Sequence, residues 1–283
     1  MLGCGTFVSL RAPAQEKFIY PKNNGCRVGL PTWAKPDETK IEEDVMSWLT
    51  VQKFCSWCAI LTGLTFFGGF VIGGFFPPPP PSLPQDQVVA MYQTHQNSIM
   101  IGMMVWMAST VFMCFFSGVL SEQLRRIPDA PPALSYAQLA SAAVNMIFFI
   151  VPPTLFIVTA YRPDRPPELT YMLNDFSWIM AVLPWPGATA QSLAVGLAIL
   201  VDTGAKPIFP RWTGWYNIFC ALAYMVGTGL IFVKSGPFAW NSIFPFWFAG
   251  SVFFIWFVIM HFSLLEAFKS DPANKPGAVQ TSR

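Results

Sequence analysis

Six long apolar segments alternate along the chain with short stretches that carry its charged residues. Each segment lacks Asp, Glu, Lys and Arg and reaches the ~20 residues that a helix needs to cross the hydrocarbon core of a bilayer. Lipid offers no partner to unpaired backbone amides, and the runs are too uniformly apolar for the alternating strands of a barrel, so each is expected to be helical. The predicted spans are Phe54–Phe76, Ile99–Ser121, Gln138–Ala160, Phe176–Val201, Trp212–Val233 and Phe238–Leu265.

This pattern predicts an all-α, polytopic membrane protein with six transmembrane helices and three regions. Residues 1–45 are expected to form an irregular cytoplasmic extension because four prolines interrupt them, and no apolar run of signal-peptide length follows the first basic residues. A start at Met46 is the alternative for this region. Residues 46–268 form the six-helix domain, and residues 269–283 form a cytoplasmic tail.

The distribution of Lys and Arg predicts the direction of the spans. The N-terminal segment, the second loop, the fourth loop and the tail carry 7, 2, 2 and 3 of these residues, whereas the other three loops carry 3 together. Positive residues are retained on the cytoplasmic side. Both termini are therefore expected to be cytoplasmic, in a bacterial inner (plasma) membrane.

Composition supports the membrane class and limits the partners. The chain is 53% hydrophobic, 16% aromatic and only 11% charged, which excludes a soluble enzyme with an ordinary aqueous surface. A net charge of +2 provides no basic field for nucleic acid. The expected partners are membrane lipids, a small hydrophobic ligand, and either another membrane protein or a second copy of the chain.

Proline pairs mark two places where the helices are expected to be interrupted. Pro184 and Pro186 flank Trp185 well inside the fourth span, and Pro152–Pro153 lies toward the end of the third. Proline removes a backbone donor and clashes with the preceding turn. Transporters commonly bind substrates at such breaks, although a purely structural kink is the alternative.

Four polar side chains near the fourth span complete a candidate ligand-binding site with Pro184 and Trp185. Amides inside a membrane are costly, so they should face the bundle interior. At the predicted start of the fourth span, Asn174 or Asp175 is expected to cap the helix. If the span encloses a pathway, Asp175 is instead its outer proton or cation site. The four are Asn145, Asp175, Gln191 and Asn217.

Sulfur-containing side chains suggest two further sites. Cys55 and Cys58 share one helical face at the spacing of dithiol redox sites, with plain apolar packing as the alternative. A second group on the second span falls in one helical sector, where soft ligands suit Cu(I) and gap-filling is the alternative. Its candidate ligands are Met100, Met103, Met107 and Cys114.

The two histidines and two glycines carry structural expectations. His95 and His261 lie at opposite ends of the predicted bundle, which disfavours joint ligation of a haem iron, and His261 is expected to reach toward cytoplasmic water. Gly69 and Gly73 recur at four-residue spacing in the first span, which lets a neighbouring backbone approach closely.

A series of short motifs runs through the six-helix domain. In order, they are Pro77–Pro81, Tyr92–His95, Asn97–Ile99, Gly102, Leu134–Leu139, Tyr161–Asp164, Leu173–Asp175, Phe209–Trp212 and Gly236–Asn241. With these motifs, the segment from about residue 46 to residue 268 resembles a set of uncharacterised bacterial six-span membrane proteins. The resemblance implies the same membrane class and assigns no activity and no site.

The sequence favours a non-catalytic protein that binds or passes a small apolar or weakly polar molecule at the broken fourth span. Two alternatives stay open: a structural or accessory subunit of a membrane complex, and a membrane oxidoreductase that uses Cys55 and Cys58. The chain has no Walker motif, zinc-protease motif or multi-histidine di-iron pattern, and no cofactor is indicated.

Overall fold

The computed structural model describes residues 38–271 and 274, with side chains from Trp48 onward. Helices and their connecting loops account for this part of the chain, which contains no strand. The all-α prediction is confirmed. Helix α1 already begins at Glu38, inside the predicted 1–45 extension. The rest of that extension, and the tail beyond residue 271 apart from Asn274, lie outside the described residues.

Six helical segments are long and apolar enough to cross a membrane, and each overlaps one predicted span. They are Trp48–Ile72, Gln96–Arg125, Pro132–Tyr161, Pro167–Leu200, Arg211–Ile231 and Ile243–Lys269. Some of them consist of more than one helix. The elements are α1 (Glu38–Ile72), α2 (Gln85–Thr94), α3 (Gln96–Arg125), α4 (Pro132–Tyr161), α5 (Pro167–Val182), α6 (Pro186–Leu200), α7 (Arg211–Tyr224) with a 3₁₀ extension (Met225–Ile231), a π-helical turn (Ile243–Phe248) and α8 (Ala249–Lys269).

Prolines define where several helices begin. The residue before the first helical position is proline in α2, α4, α5 and α7, with φ near −60° and an extended ψ. Proline lacks an N–H, which costs nothing at a helix start because the first donors have no intrahelical partner there. The helices therefore start at defined residues. The four prolines are Pro84, Pro131, Pro166 and Pro210.

Glycines let α1 and α3 pack with their backbones in contact. A Cβ atom at Gly69 would lie 2.6 Å from the Gly102 carbonyl oxygen, and one at Gly102 would lie 2.4 Å from the Gly73 nitrogen. Such separations are possible only without side chains, as in other close crossings of membrane helices. The expected close approach at Gly69 and Gly73 is confirmed, with Gly102 of α3 as its partner.

One end of the bundle, named here the terminal end, brings together the beginning of the first span near Gln52, the α3–α4 loop and the residues after α8. Gln52 donates to Asp271 (3.4 Å), and Arg126 pairs with the same carboxylate (3.4 Å). Asp129 of the α3–α4 loop accepts from Thr203 of the α6–α7 loop. The described chain thus enters and leaves the bundle at the same end, as an even number of spans requires.

The opposite end, named here the proline end, is formed by the other three loops. Gln93 donates to the Pro163 carbonyl (3.2 Å), which links the region between α1 and α3 with the α4–α5 loop. Trp240 donates from its indole nitrogen to the Pro79 carbonyl (2.8 Å), which links the proline run to the loop before the sixth span. The proline run therefore packs against the bundle.

A pH effect is expected from the Asp129 contact at the terminal end. Thr203 donates to the Asp129 carboxylate from its hydroxyl (2.6 Å) and its backbone N–H (3.1 Å), and these bonds hold the pKa of Asp129 below its ordinary value. The resulting stabilisation is complete above the ordinary aspartate pKa of about 3.9 and is lost as the pH falls through the lower pKa of the folded protein.

Thr203→Val isolates this contribution. The valine retains the side-chain volume but removes the hydroxyl donor. Between about pH 5 and about pH 3, we therefore expect the unfolding temperature of the variant to fall less steeply than that of the native chain. Thermal unfolding in detergent across this range measures the difference. Parallel pH profiles for the two proteins would show that Asp129 does not couple the loops.

Candidate ligand-binding site

The fourth span is broken near its middle, as the proline pair predicts. Helix α5 ends at Val182 and α6 begins at Pro186, with a tight turn between them in which Trp185 N–H donates to the Leu183 carbonyl (2.7 Å). Pro186 has no N–H and cannot donate to the Val182 carbonyl. The oxygen of this carbonyl lies next to Gly227, where an added Cβ atom would be 3.2 Å from it. The break therefore leaves polar backbone inside the bundle.

Helix α4 passes the break at close range. A Cβ atom at Gly187 would lie 3.0 Å from the backbone nitrogen of Asn145 and 3.2 Å from its Cβ. Glycine at this position allows α6 to start directly against α4. Asn145 is thereby placed beside the break, although the two are about forty positions apart in the chain.

A cavity of about 100 Å³ lies beside the break. Its walls come from α1, α4, both halves of the fourth span, α7, the π-helical turn and α8. Aromatic rings dominate the lining, and Asn145 and Tyr224 are its main polar side chains. The lining residues are Phe66, Phe67, Phe70, Asn145, Phe148, Ala181, Val182, Pro184, Trp185, Ala188, Tyr224, Pro245, Phe246, Ala249, Gly250 and Phe253.

A groove of about 390 Å³ lies on the other side of the break. It shares four lining residues with the cavity, Asn145, Phe148, Pro184 and Trp185. Two other lining residues, Val144 and Ile147, are 57% and 48% exposed on the surface of α4. Because these exposed apolar residues lie on a helix long enough to span a membrane, the groove opens to the outer surface of the bundle.

One buried polar group of the cavity wall lacks an internal partner. The Nδ2 atom of Asn145 forms no hydrogen bond with any described residue. The hydroxyl of Tyr224, the other main polar group of the wall, lies close to the side chains of Ser192 and Cys220. Buried polar groups are satisfied in the great majority of cases, and an exception inside a cavity wall indicates a ligand or water. The Asn145 amide can donate to an acceptor oxygen.

Six membrane-length apolar helices make this chain a multi-pass membrane protein. No protein-family model, curated protein or solved structure matches it.

Sequence reasoning missed the contribution of the sixth span. Pro245 and Phe246 lie in the π-helical turn Ile243–Phe248, and Gly250 follows at the start of α8; all three line the cavity. A π-helical turn widens the helix locally and often occurs at functional sites. The signal in the sequence was Pro245 with Gly250, two helix-disfavouring residues within one span.

The structure brings three of the predicted ligand-binding residues together and places three elsewhere. Asn145, Pro184 and Trp185 line the cavity, whereas Gln191, Asn217 and Asp175 do not. The expected burial of the three amides is confirmed, since Asn145, Gln191 and Asn217 are each at least 96% buried.

Asn217 takes part in a contact between α7 and α8. Its Oδ1 accepts from the indole of Trp256 (2.7 Å), and its Nδ2 donates to the Thr213 carbonyl (2.8 Å). These bonds satisfy the amide without a ligand. Asn217 therefore stabilises the packing of two spans, and its role as a ligand contact stays a prediction.

The expected capping role of Asn174 or Asp175 is wrong. Helix α5 begins at Pro167, so both residues lie inside the helix. The Oδ1 of Asn174 accepts from the hydroxyl of Tyr92 (3.1 Å), and its Nδ2 lies 3.5 Å from the Asp175 carboxylate. The span starts earlier than its apolar run because the preceding prolines fix the helix start.

The sulfur-containing side chains separate into different environments. Cys58 is buried and Cys55 partly buried, and both thiols are free. On α3, Met103 is fully buried near Gly73, whereas the exposed Cys114 lies 3.5 Å from the sulfur of Met146 on α4. The redox site, and the copper site with Met100 and Met107, stay predictions.

His261 does not reach toward water, contrary to expectation. It is 1% exposed, and its Nδ1–H donates to the Ser56 carbonyl (3.1 Å). The Ser56 hydroxyl lies 2.9 Å from the same nitrogen, and the ring packs on Trp57. The imidazole thus joins α8 to α1, because a hydrogen-bond partner in the bundle replaces water.

Proposed function

We propose that the protein binds, and passes on, a small lipid-soluble molecule that reaches the aromatic cavity through the groove. One observation carries this proposal: Pro184 and Trp185, at the break of the fourth span, belong to the wall of the cavity and to the wall of the groove. A ligand from the bilayer would pass from the groove to the cavity at this short non-helical segment.

The walls indicate the size and polarity of the ligand. Pockets for drug-sized molecules enclose about 300–1,000 Å³, and an apolar cavity of ~150 Å³ accommodates benzene. A cavity of about 100 Å³ therefore suits a small ring or the end of a longer molecule whose remainder lies in the groove. The unpartnered Nδ2 donor of Asn145 favours a ligand with one acceptor oxygen, such as a carbonyl or ether.

The orientation of the protein is part of this proposal. The terminal end carries the loops and chain ends that are rich in Lys and Arg, so we place it on the cytoplasmic side of a bacterial inner membrane. Cysteine accessibility to a membrane-impermeant reagent in oriented vesicles tests this assignment independently of ligand binding.

Gly250→Leu is expected to block the cavity. A Cβ atom at this lining position contacts nothing within 4 Å, so the new side chain projects into open space without displacing backbone. With a phenyl diazirine as photoreactive probe in proteoliposomes, we expect the native chain to be labelled at Phe70 and Phe253 and the variant to lose at least ~90% of that labelling. Peptide mass spectrometry locates and quantifies the adducts.

Gly118→Leu is the matched control. This glycine is exposed on α3, and its Cβ position is equally free of contacts. Labelling of the cavity residues should match that of the native chain in this variant. Equal labelling in the Gly250 and Gly118 variants, or labelling confined to lipid-facing residues in the native chain, contradicts the proposed site.

A further inference from the structure

A row of buried amide side chains continues from the cavity toward the terminal end. Asn145 of α4, Gln191 of α6 and Gln138 of α4 are 4%, 2% and 0% exposed. Within the described chain, Nδ2 of Asn145, Nε2 of Gln191 and both polar atoms of Gln138 have no hydrogen-bond partner. Each such atom is costly to bury, and three neighbouring amides share the same deficiency.

Helix geometry places these amides in one seam. Asn145 and Gln138 are seven positions apart on α4, so they share a face with a difference in depth of about 10 Å. Gly187 of α6 contacts Asn145, and Gln191 is one turn further along the same face of α6, about 6 Å deeper. The depth of Gln191 therefore lies between those of the other two.

The row reaches the terminal end through hydroxyl groups. Ser135, three positions before Gln138 on α4, exchanges hydrogen bonds with Ser121 of α3 (2.7 Å between the hydroxyls). Ser117, one turn from Ser121 on α3, is buried, and its hydroxyl has no partner in the part of the chain that the structure describes. Polar groups thus occur at intervals of about 4–6 Å from the cavity to the beginning of α4.

We propose that a file of water molecules occupies the seam between α4 and α6 and connects the base of the cavity with the terminal end. One or two waters bridge each interval, because a buried water bonds to about three polar groups, and such waters occur about once per 27 residues in proteins. The cavity then has two routes of access: lipid through the groove and water through the seam. This inference does not depend on the identity of the ligand.

Radiolytic labelling in water enriched in oxygen-18 tests the file. Hydroxyl radicals that form from waters inside the protein oxidise neighbouring side chains. Val195 lies one turn beyond Gln191 on α6 and is 0% exposed, whereas Val252 of α8 is a buried valine away from the seam. In nanodiscs we expect Val195 to incorporate the isotope at least fivefold more than Val252. Similar low labelling of the two valines overturns the proposal.

Gln138→Leu with Gln191→Leu provides the second measurement. The leucines retain most of the side-chain volume but remove the groups that hold water, so labelling of Val195 should fall to the level of Val252. The unfolding temperature should not increase, because the native amides already bond to water. An increase in unfolding temperature would show that the native amides are unsatisfied in a dry seam, and it would overturn the proposal even if the labelling were weak in both proteins.

Discussion

Replacing Gly102 with alanine is expected to separate α1 from α3 and to destabilise the protein by at least ~3 kcal/mol. The new Cβ would lie 2.4 Å from the Gly73 nitrogen and 2.5 Å from the Gly69 carbonyl oxygen. Both neighbours are backbone atoms, so no side-chain rotation relieves the contact, and the helices themselves must shift. Overpacking a well-packed core usually costs ~1–3 kcal/mol when side chains can adjust, and here they cannot.

Gly118→Ala is the control on the same helix. Its Cβ would contact nothing within 4 Å, and alanine favours a helix over glycine by up to ~1 kcal/mol. The free energies of unfolding of the two variants, measured in mixed micelles with increasing denaturing detergent, should therefore change in opposite directions or differ by several kcal/mol. Values within about 0.5 kcal/mol of each other, a typical surface-substitution effect, would show that α1 and α3 do not cross at these glycines.

Asp271→Ala is expected to have the second largest effect, a loss of ~3 kcal/mol in the free energy of unfolding. Arg126 and Asp271 are only 12% and 8% exposed, and their charged atoms lie 3.4 Å apart. The Arg126 guanidinium also donates to the Ala267 carbonyl (3.1 Å) and to Gln123. Removing one partner of a buried pair leaves a desolvated charge with weaker compensation, which costs about 3–5 kcal/mol.

An exposed pair on the same stretch of chain serves as the control for Asp271→Ala. Lys269 and Glu266 are 2.7 Å apart but 71% and 58% exposed. Glu266→Gln should therefore change the free energy of unfolding by less than ~0.5 kcal/mol. The double variant Arg126→Met with Asp271→Leu should regain most of the loss, since a buried ion pair is often replaceable by apolar residues. A single Asp271→Ala variant as stable as Glu266→Gln would exclude the terminal-end network as a stabilising element.

Two proline pairs in the chain show where sequence reasoning succeeds and where it fails. Pro184 and Pro186 break the fourth span, as predicted. Pro152–Pro153 was expected to interrupt the third span, yet α4 runs without a break from Pro132 to Tyr161. Both prolines of that pair are buried, and a membrane helix tolerates proline where neighbouring helices and small backbone adjustments satisfy the freed carbonyls. The two pairs also differ locally, because Pro152 and Pro153 are adjacent, whereas Pro184 and Pro186 are separated by Trp185 and followed by Gly187.

The candidate site was predictable only in part for a related reason. Asn145, Pro184 and Trp185 were identified because an amide or a proline is unusual inside a membrane. Six of the sixteen lining residues are phenylalanines, and four of these six come from α1 and α8, such as Phe66 and Phe253. Phenylalanine also lies on the outer surface of the spans, for example at Phe115 and Phe262, so residue type does not distinguish a cavity wall from the outside.

By itself, the sequence determined the membrane class, the number of spans, the position of the break in the fourth span and the burial of the amides. All of these follow from the cost of exposing charge or unpaired polar groups to hydrocarbon. Only the tertiary structure decided which apolar faces meet, that Ser56 pairs with His261, that Asn217 bonds to Trp256, and that the sixth span closes the cavity. Lipid is as apolar as the protein core, so the polarity contrast that reveals the inner face of a soluble helix is weak here, and packing geometry sets the arrangement instead.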